Sequence, residues 1–96
     1  MNESNDTIAN DPDEPDYDAP LTDEEFERGS AAMLARRARA ATGLSQEGFS
    51  ARFGIPIGSL RDWEQGRRAP DAAAQSYLRV IAKIPVEVAK VLERAG

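Results

Sequence analysis

The 96-residue chain is long enough for one small domain, and its 41% hydrophobic but only 6% aromatic residues favour a compact helical core. It contains no cysteine and no histidine, which excludes disulfide bonds, thiolate chemistry and the usual zinc ligands. The net charge of −5 hides two regions of opposite sign, because residues 1–27 contain 11 acidic and no basic residues, whereas residues 28–96 contain 6 acidic and 12 basic residues. A basic domain of this kind can bind phosphate backbones.

The chain begins with an acidic segment. Residues 1–20 contain three prolines and almost no large apolar residues, so we expect them to be disordered in isolation. Directly after them, Thr22 and Glu25 have the spacing of a capping box. This pattern predicts a short helix that starts at Asp23, stops near Gly29 and forms only when it packs against another surface, because so short a helix is unstable alone.

The sequence of residues 30–96 predicts a helical domain. Residues 1–29 are predicted to form a separate arm. Ser30 and Ser45 are good N-cap residues, and a glycine follows each of the first two predicted helices. The five predicted helices of the domain cover about residues 31–42, 46–53, 55–66, 71–82 and 85–94. Apolar residues recur within them at helical spacing, and no stretch alternates with the two-residue period of a strand. The patterns indicate an all-α fold, with four large residues predicted in its core: Phe49, Phe53, Leu60 and Trp63.

Two short helices joined by a tight turn, between residues 46 and 66, have the arrangement of a helix-turn-helix unit. The stretch SQEGFSARFGIPIGSLRDWEQGRRAP resembles the Cro and phage-repressor family, also called the XRE-type helix-turn-helix family, and the resemblance covers about residues 31–82. The motifs that carry it are Arg39 before TGLSQ, Gly54 in the turn, WEQG, and a basic pair followed by Pro70. The resemblance implies a five-helix Cro/phage-repressor-like domain whose second short helix enters the major groove of double-stranded DNA.

The resemblance also implies roles for individual side chains. Gln46, at the start of the first short helix, would hydrogen-bond a phosphate. Arg61 would read guanine through its forked guanidinium, and Arg67 and Arg68 would bind phosphates beyond the helix. The other residues on the DNA-facing side are Ile57, Gly58, Ser59 and Asp62. For the three arginines the alternative interpretation is an ordinary solvated surface.

The chain departs from the family pattern at the start of the second short helix. Family members often have Gln, Asn or Thr there, whereas this chain has Pro56, Ile57 and Gly58. These residues offer few hydrogen bonds to bases, although Ile57 can contact a thymine methyl group. Elsewhere the resemblance implies a buried structural pair between Arg39 and Glu64.

Three apolar residues, Tyr17, Leu21 and Phe26, lie in the acidic region around DAPLTDEEFERGS. A solubilising tail does not need them, so they indicate a segment that folds on a basic partner. The region resembles a segment of BrnA-type and some HigA-like antitoxins, and LRVIAKIPVEVAKVL resembles the end of XRE-type antitoxins. The resemblance implies an antitoxin of a type II toxin-antitoxin pair, whose partner is a small, basic, RelE-like or BrnT-like ribonuclease toxin neutralised by direct contact.

The last predicted helix has an apolar stripe, formed by Val88, Val91, Leu92 and Ala95. The stripe can pack within the monomer or at a two-fold dimer interface, and the sequence leaves both alternatives open. A homodimer is favoured independently, because one helix-turn-helix contacts few bases, whereas a dimer binds two half-sites of an inverted repeat.

The sequence therefore predicts a DNA-binding antitoxin that represses its own operon and blocks a toxin. The alternatives are a stand-alone XRE-type repressor, whose acidic arm tunes DNA affinity, and a protein adaptor with a degenerate helix-turn-helix. We expect no enzymatic activity, cofactor or metal site, because histidine, cysteine and a glycine-rich phosphate loop are missing from the sequence. The sequence has no secretion signal and no apolar run near 20 residues, so we expect a bacterial cytoplasmic protein without membrane contact.

Overall fold

Five α-helices make up the part of the chain that the computed structural model describes, residues 21–95. They are α1 (Asp23–Thr42), α2 (Gln46–Phe53), α3 (Ile57–Glu64), α4 (Ala72–Lys83) and α5 (Pro85–Ala95). Short connections join them and no strand occurs between residues 21 and 95, so the predicted all-α fold is confirmed. The expected disorder of residues 1–20 concerns a segment outside the described residues, and Tyr17 lies there too.

The capping box at the start of α1 is confirmed. The Thr22 hydroxyl accepts a hydrogen bond from the Glu25 backbone N–H at 3.0 Å, and the Glu25 carboxylate accepts one from the Thr22 N–H at 2.9 Å. These two hydrogen bonds satisfy backbone donors that the first turn of a helix leaves unpaired. The hydrogen bonds with Thr22 also lower the pKa of Glu25.

The prediction that this first helix stops near Gly29 is wrong. α1 continues through Gly29 and Ser30 to Thr42, so Ser30 is not an N-cap. An internal glycine weakens a helix by only about 1 kcal/mol, whereas the second half of α1 is anchored by packing and extending an existing helix needs no new nucleus. The division of the chain into an arm and a domain at residue 29 stays a prediction.

The core forms where α1, α3 and α4 meet. α1 contributes three buried alanines, Ala31, Ala35 and Ala38, whose small side chains let α4 approach closely. Leu78 and Ile81 of α4 are fully buried against them, and each such side chain contributes roughly 1.5–3 kcal/mol of hydrophobic stabilisation. The four residues predicted from the sequence are all buried in the same cluster: Phe49, Phe53, Leu60 and Trp63.

The apolar stripe on α5 is divided by the fold. Val88 is half-buried and packs against the core, whereas Val91 is 61% exposed. Buried Ala89 also faces inward, and Leu92 remains exposed at the edge of the core. Among the described residues, one side of the stripe therefore packs against the core of the monomer, and the other side is exposed to solvent.

The continuity of α1 can be tested with a pair of glycine substitutions. Gly29→Ala should increase helicity and raise the free energy of unfolding by about 0.5–1 kcal/mol, because a Cβ at this position meets no atom within 4 Å. Gly43→Ala is the matched control and should destabilise the protein, because Gly43 has a left-handed φ of 72°. Circular dichroism and urea denaturation measure both changes, and an unchanged helicity in Gly29→Ala would contradict a helix that runs through this residue.

Candidate nucleic-acid interface

α2 and α3 are joined by a turn of three residues, Gly54, Ile55 and Pro56. Gly54 adopts a left-handed φ of 69°, which a residue with a side chain rarely adopts. Ile55 is buried, and its backbone N–H donates to the Ser50 carbonyl at 3.1 Å. A glycine that reverses the chain and an isoleucine that anchors it thus fix the angle between the two helices.

Both helices are also held to the rest of the fold. The Ser45 hydroxyl caps α2 by accepting a hydrogen bond from the Gly48 N–H at 3.0 Å. At the other end of α2, the Phe53 carbonyl accepts a hydrogen bond from the Tyr77 hydroxyl at 2.6 Å. Leu60 and Trp63 bury the inner side of α3, so its opposite side faces solvent.

The N-terminal half of α3 carries Ile57, Gly58 and Ser59. Gly58 is exposed, and Ile57 and Ser59 are half-buried. Ser59 supplies a hydroxyl as the only side-chain hydrogen-bonding group among these three residues. The surface at the start of α3 is therefore small and mostly apolar.

Arg61 is held against the start of α2 by two hydrogen bonds. Its Nη2 donates to Oε2 of Glu47 at 3.0 Å, and its Nε donates to Oε1 of Gln46 at 3.3 Å. The Gln46 side-chain amide in turn donates to Oε1 of Glu64 at 3.2 Å. The oxygen and the nitrogen of the Gln46 side-chain amide therefore both have hydrogen-bond partners within the protein, Arg61 and Glu64.

The carboxylate at the inner end of this network belongs to Glu64, whose side chain is only 5% exposed. It accepts hydrogen bonds from Nε of Arg39 at 2.7 Å and from Nη2 of Arg39 at 3.0 Å. Arg36 donates to the Glu64 backbone carbonyl at 2.6 Å. The pair that the resemblance implied between Arg39 and Glu64 is therefore present, and it ties α1 to the last residue of α3.

Burial and hydrogen bonding act on Glu64 in opposite directions. Burial raises the pKa of Glu64, but hydrogen bonds from Arg39 and Gln46, with the positive charges of Arg39 and Arg36, outweigh it, and the pKa is lowered. The hydrogen bonds that Arg39 donates to Glu64 raise the pKa of Arg39. The buried carboxylate is therefore ionised at neutral pH.

α3 ends in a Schellman motif at Gly66. The Gly66 N–H donates to the Trp63 carbonyl at 3.1 Å and the Arg67 N–H to the Asp62 carbonyl at 2.9 Å, while Gly66 has a φ of 73°. The reversed chain places both following arginines beside the Asp62 carboxylate, with Arg68 Nε at 3.3 Å and Arg67 Nη1 at 3.8 Å. Both arginine side chains remain exposed, so their pairing with Asp62 is open to competition from solvent.

The structure thus brings the residues proposed for DNA contact together in two groups. Gln46 lies with Arg61, and Asp62 lies with Arg67 and Arg68. Sequence reasoning missed Glu47 as the partner of Arg61, because the two residues are 14 positions apart on different helices and no motif links them.

Leu21 and Phe26 lie elsewhere, at the N-terminal end of α1, and both are highly exposed. They flank the capping box, where the spacing predicts a hydrophobic staple. Any contact between them leaves about two thirds of each side chain exposed.

Residues 36–74 match the sequence model of a protein family described as "Helix-turn-helix". The match supports the XRE class of helix-turn-helix domains for this part of the chain. The matched range includes the whole of α2 and α3, their turn, and the adjoining parts of α1 and α4. No curated protein and no solved structure matches the chain.

The family match supports a sequence-specific DNA-binding regulator, and the matched family is a DNA-binding domain family without enzymatic activity. Among α1 to α5, no helix has both the length and the apolar character needed to span a membrane.

The role of the Arg39–Glu64 pair can be tested by Glu64→Gln. At pH 7 this substitution should lower the free energy of unfolding by about 2–3 kcal/mol, because it leaves the Arg39 guanidinium without its carboxylate. The pKa of Glu64 is depressed in the folded state, so its stabilisation is present above the unfolded value of about 4.3 and is lost as the pH falls through the folded value.

The difference between wild type and Glu64→Gln should therefore shrink below about pH 4. Urea denaturation between pH 7 and pH 3 measures it, with Glu93→Gln as the control for an exposed ion pair. If the difference in the free energy of unfolding stays constant over this pH range, the charge of Glu64 does not contribute to stability.

Proposed function

We propose that this chain is the antitoxin of a type II toxin-antitoxin pair, which represses its own operon and neutralises a small basic toxin by direct contact. The observation that carries the DNA-binding half is that three arginines on and beside the solvent side of α3 are exposed: Arg61, Arg67 and Arg68. The proposed site of action is the cytoplasm of a bacterium, at an inverted repeat in the operator.

DNA binding in this proposal is an exchange of ion pairs. Arg61 leaves Glu47 and turns to a guanine, whose O6 and N7 fit its forked guanidinium. Arg67 and Arg68 leave their shared carboxylate, Asp62, for phosphates of the backbone. Each arginine already pairs with a carboxylate in the free protein, so the free energy gained on binding DNA is the difference between two ion pairs.

Shape and apolar contact supply the rest of the proposed interface. Gly58 has no side chain, so the α3 backbone can approach the groove floor closely, and half-buried Ile57 can meet a thymine methyl group. Ser59 adds one hydroxyl, and Gln46 reaches a phosphate if its amide leaves Glu64 or Arg61. The low number of base-reading groups makes a single domain weakly specific, which supports action as a homodimer.

The uncovered side of α5 supports the homodimer proposal. Val91 is 61% exposed and Leu92 beside it is 36% exposed on the last helix of the domain. Pairing this side across a two-fold axis would remove apolar surface from water and place two copies of α3 on successive major grooves.

The toxin-binding half of the proposal depends on the N-terminal end of α1. Leu21 and Phe26 are about two thirds exposed, beside Asp23, Glu24 and Glu27. Exposed large apolar residues among acidic ones match a basic protein surface with an apolar pocket. Tyr17 belongs to the same proposed contact but lies outside the described residues.

A stand-alone repressor is the alternative function. It shares the DNA-binding arrangement and differs only at the N-terminal end of α1, where Leu21 and Phe26 would then have no protein partner. The partner experiment below separates the two functions, because DNA binding is common to both.

DNA binding by the arginine pair can be tested with Arg67→Gln/Arg68→Gln. The double variant should bind operator DNA about tenfold more weakly and reduce the salt slope of log K by up to about 1.8, since each lost phosphate contact contributes about 0.9. Lys90→Gln, an exposed cation on α5, is the control. Fluorescence anisotropy at several salt concentrations measures both quantities, and an unchanged slope would favour a protein adaptor over a DNA-binding regulator.

The competition for Arg61 can be tested with Glu47→Gln. The variant should bind operator DNA about threefold more tightly, because an exposed ion pair of a few tenths to 1 kcal/mol no longer holds Arg61 back. Glu93→Gln removes an equal charge from the Arg52 pair and should give a smaller gain. In an Arg61→Gln background the gain should disappear, and a gain that persists there would exclude competition for Arg61.

The toxin proposal can be tested by co-expressing the full chain with the product of the adjacent small open reading frame. The full chain should retain a small basic protein through affinity purification, and Leu21→Ser/Phe26→Ser should lose it while keeping DNA binding. Val80→Ser, which changes an exposed valine on α4, is the matched control. If no partner is retained by the unsubstituted chain, the stand-alone repressor is the better description.

A further inference from the structure

A shallow groove of about 360 Å³ runs between α1 and α4, away from α2 and α3. We propose that this α1–α4 groove is the docking site of the chain's own acidic N-terminal segment, residues 1–20. The groove is lined on α1 by residues between Phe26 and Arg37, among them Glu27 and Met33, and on α4 by Gln75 and Arg79. The proposal concerns contacts within one chain and stands whether or not the protein binds a toxin.

The α1 side of the groove is an unpartnered apolar face that ends in a charge. Phe26, Ser30, Met33 and Arg37 follow one another at spacings of three and four residues, so they lie on one side of the helix. Phe26 and Met33 are each 64% exposed. Two large apolar side chains on one helix face, with small Ser30 between them, form a surface that an extended segment can cover.

The groove lining carries more positive than negative charge. Arg37 lines it from α1 and Arg79 from α4, both exposed, against one exposed carboxylate, Glu27 on α1. Within residues 21–95 neither of these two arginines has a carboxylate within 4.0 Å, whereas each of the five arginines on or next to α2, α3 and the end of α1 has one: Arg39, Arg52, Arg61, Arg67 and Arg68. Two arginines without a carboxylate partner among the described residues, against one glutamate, favour an acidic occupant.

The acidic N-terminal segment has the required chemistry. Residues 1–20 contain seven acidic and no basic residues, with Ile8 and Tyr17 as large apolar residues. A basic external protein would be repelled by Arg37 and Arg79, and a second copy of this chain would have to associate from dilute solution. The segment is tethered at Leu21, so its local concentration at the groove is of millimolar order.

The length of the segment also fits. From Phe26 to Arg37 the helix rises by about 16 Å, at about 1.5 Å per residue. An extended chain spans that distance with about five residues. The segment is therefore long enough to turn back before Leu21 and carry its carboxylates to Arg37 and Arg79.

Docking has a consequence for Phe26, which belongs both to the groove and to the proposed partner surface. A segment lying in the groove covers part of Phe26. A protein partner that binds Phe26 must therefore displace the segment, so the two contacts compete.

The sequence allows a direct test, because it contains no cysteine and only two methionines, Met1 and Met33. A nitroxide attached to Asn10→Cys in the full chain, with ¹³C-methyl methionine labelling, reports whether the segment reaches the Met33 methyl group. We expect strong paramagnetic broadening of the Met33 signal, reversed by reducing the nitroxide with ascorbate. An unbroadened Met33 signal would overturn the proposal.

Two pairs of substitutions locate the contact. Arg37→Gln/Arg79→Gln should reduce the broadening about fivefold, since it removes two exposed ion pairs, and 1 M salt should act in the same direction. Arg67→Gln/Arg68→Gln is matched in charge and should leave the broadening unchanged. The reverse pattern would place the segment on the DNA-facing side and refute docking in the α1–α4 groove.

A mixing experiment distinguishes one chain from two. Spin-labelled chain without isotope is added to isotope-labelled chain without nitroxide. Intramolecular docking predicts no broadening of Met33 in this mixture. Broadening that appears only between chains would show that the groove takes a second copy, and would overturn the proposal.

Discussion

The position of α3 depends on one buried ion pair. Glu64 is the last residue of α3, and its carboxylate is almost fully enclosed while it accepts two hydrogen bonds from Arg39 of α1. Burying a charge without such partners would cost too much free energy. The pair therefore favours the arrangement in which the end of α3 meets the last turn of α1. Everything that α3 presents to solvent is oriented by that constraint.

The pair also reaches the surface through Gln46. Its amide donates to Glu64 and accepts from Arg61, so the orientation of a buried carboxylate determines which end of the Gln46 amide faces an exposed arginine. In the free protein Glu47 then pairs with Arg61, and Asp62 pairs with Arg67 and Arg68, so two carboxylates offset most of the charge of three arginines. The surface that carries the basic side chains therefore has little unbalanced charge until another anion competes for them.

Local patterns predicted the helices and the core, because caps, glycines and helical spacing act over a few residues. Ser45, Gly54 and Pro85 lie where the sequence placed them, and Phe49, Leu60 and Trp63 are buried as expected. The break at Gly29 was wrong because packing of the second half of α1 outweighs the weak helix propensity of one glycine. Propensity describes a residue alone, whereas helix length depends on what the helix packs against.

The candidate site was predicted only in part, for a related reason. The family resemblance proposed Arg61, Arg67 and Arg68 for DNA contact, but their carboxylate partners could not be found from the sequence. Glu47 meets Arg61 because α2 and α3 cross there, and Asp62 meets Arg68 because the chain reverses at Gly66. Such pairs depend on the angle between helices and on the geometry of a turn, neither of which a linear pattern contains.

Because α1 is one continuous helix, the direction in which residues near its start face is fixed relative to residues near its end. Phe26 near its start and Arg39 near its end belong to one helix of 20 residues, so each residue added or removed between them would turn Phe26 by about 100° relative to Arg39 and to the helices that Arg39 holds. An insertion of one residue would move Phe26 to another side of the protein, whereas a change of seven residues, close to two full turns, would nearly restore its direction. The direction in which the N-terminal end faces is thus set by the number of residues in α1 as firmly as by their chemistry.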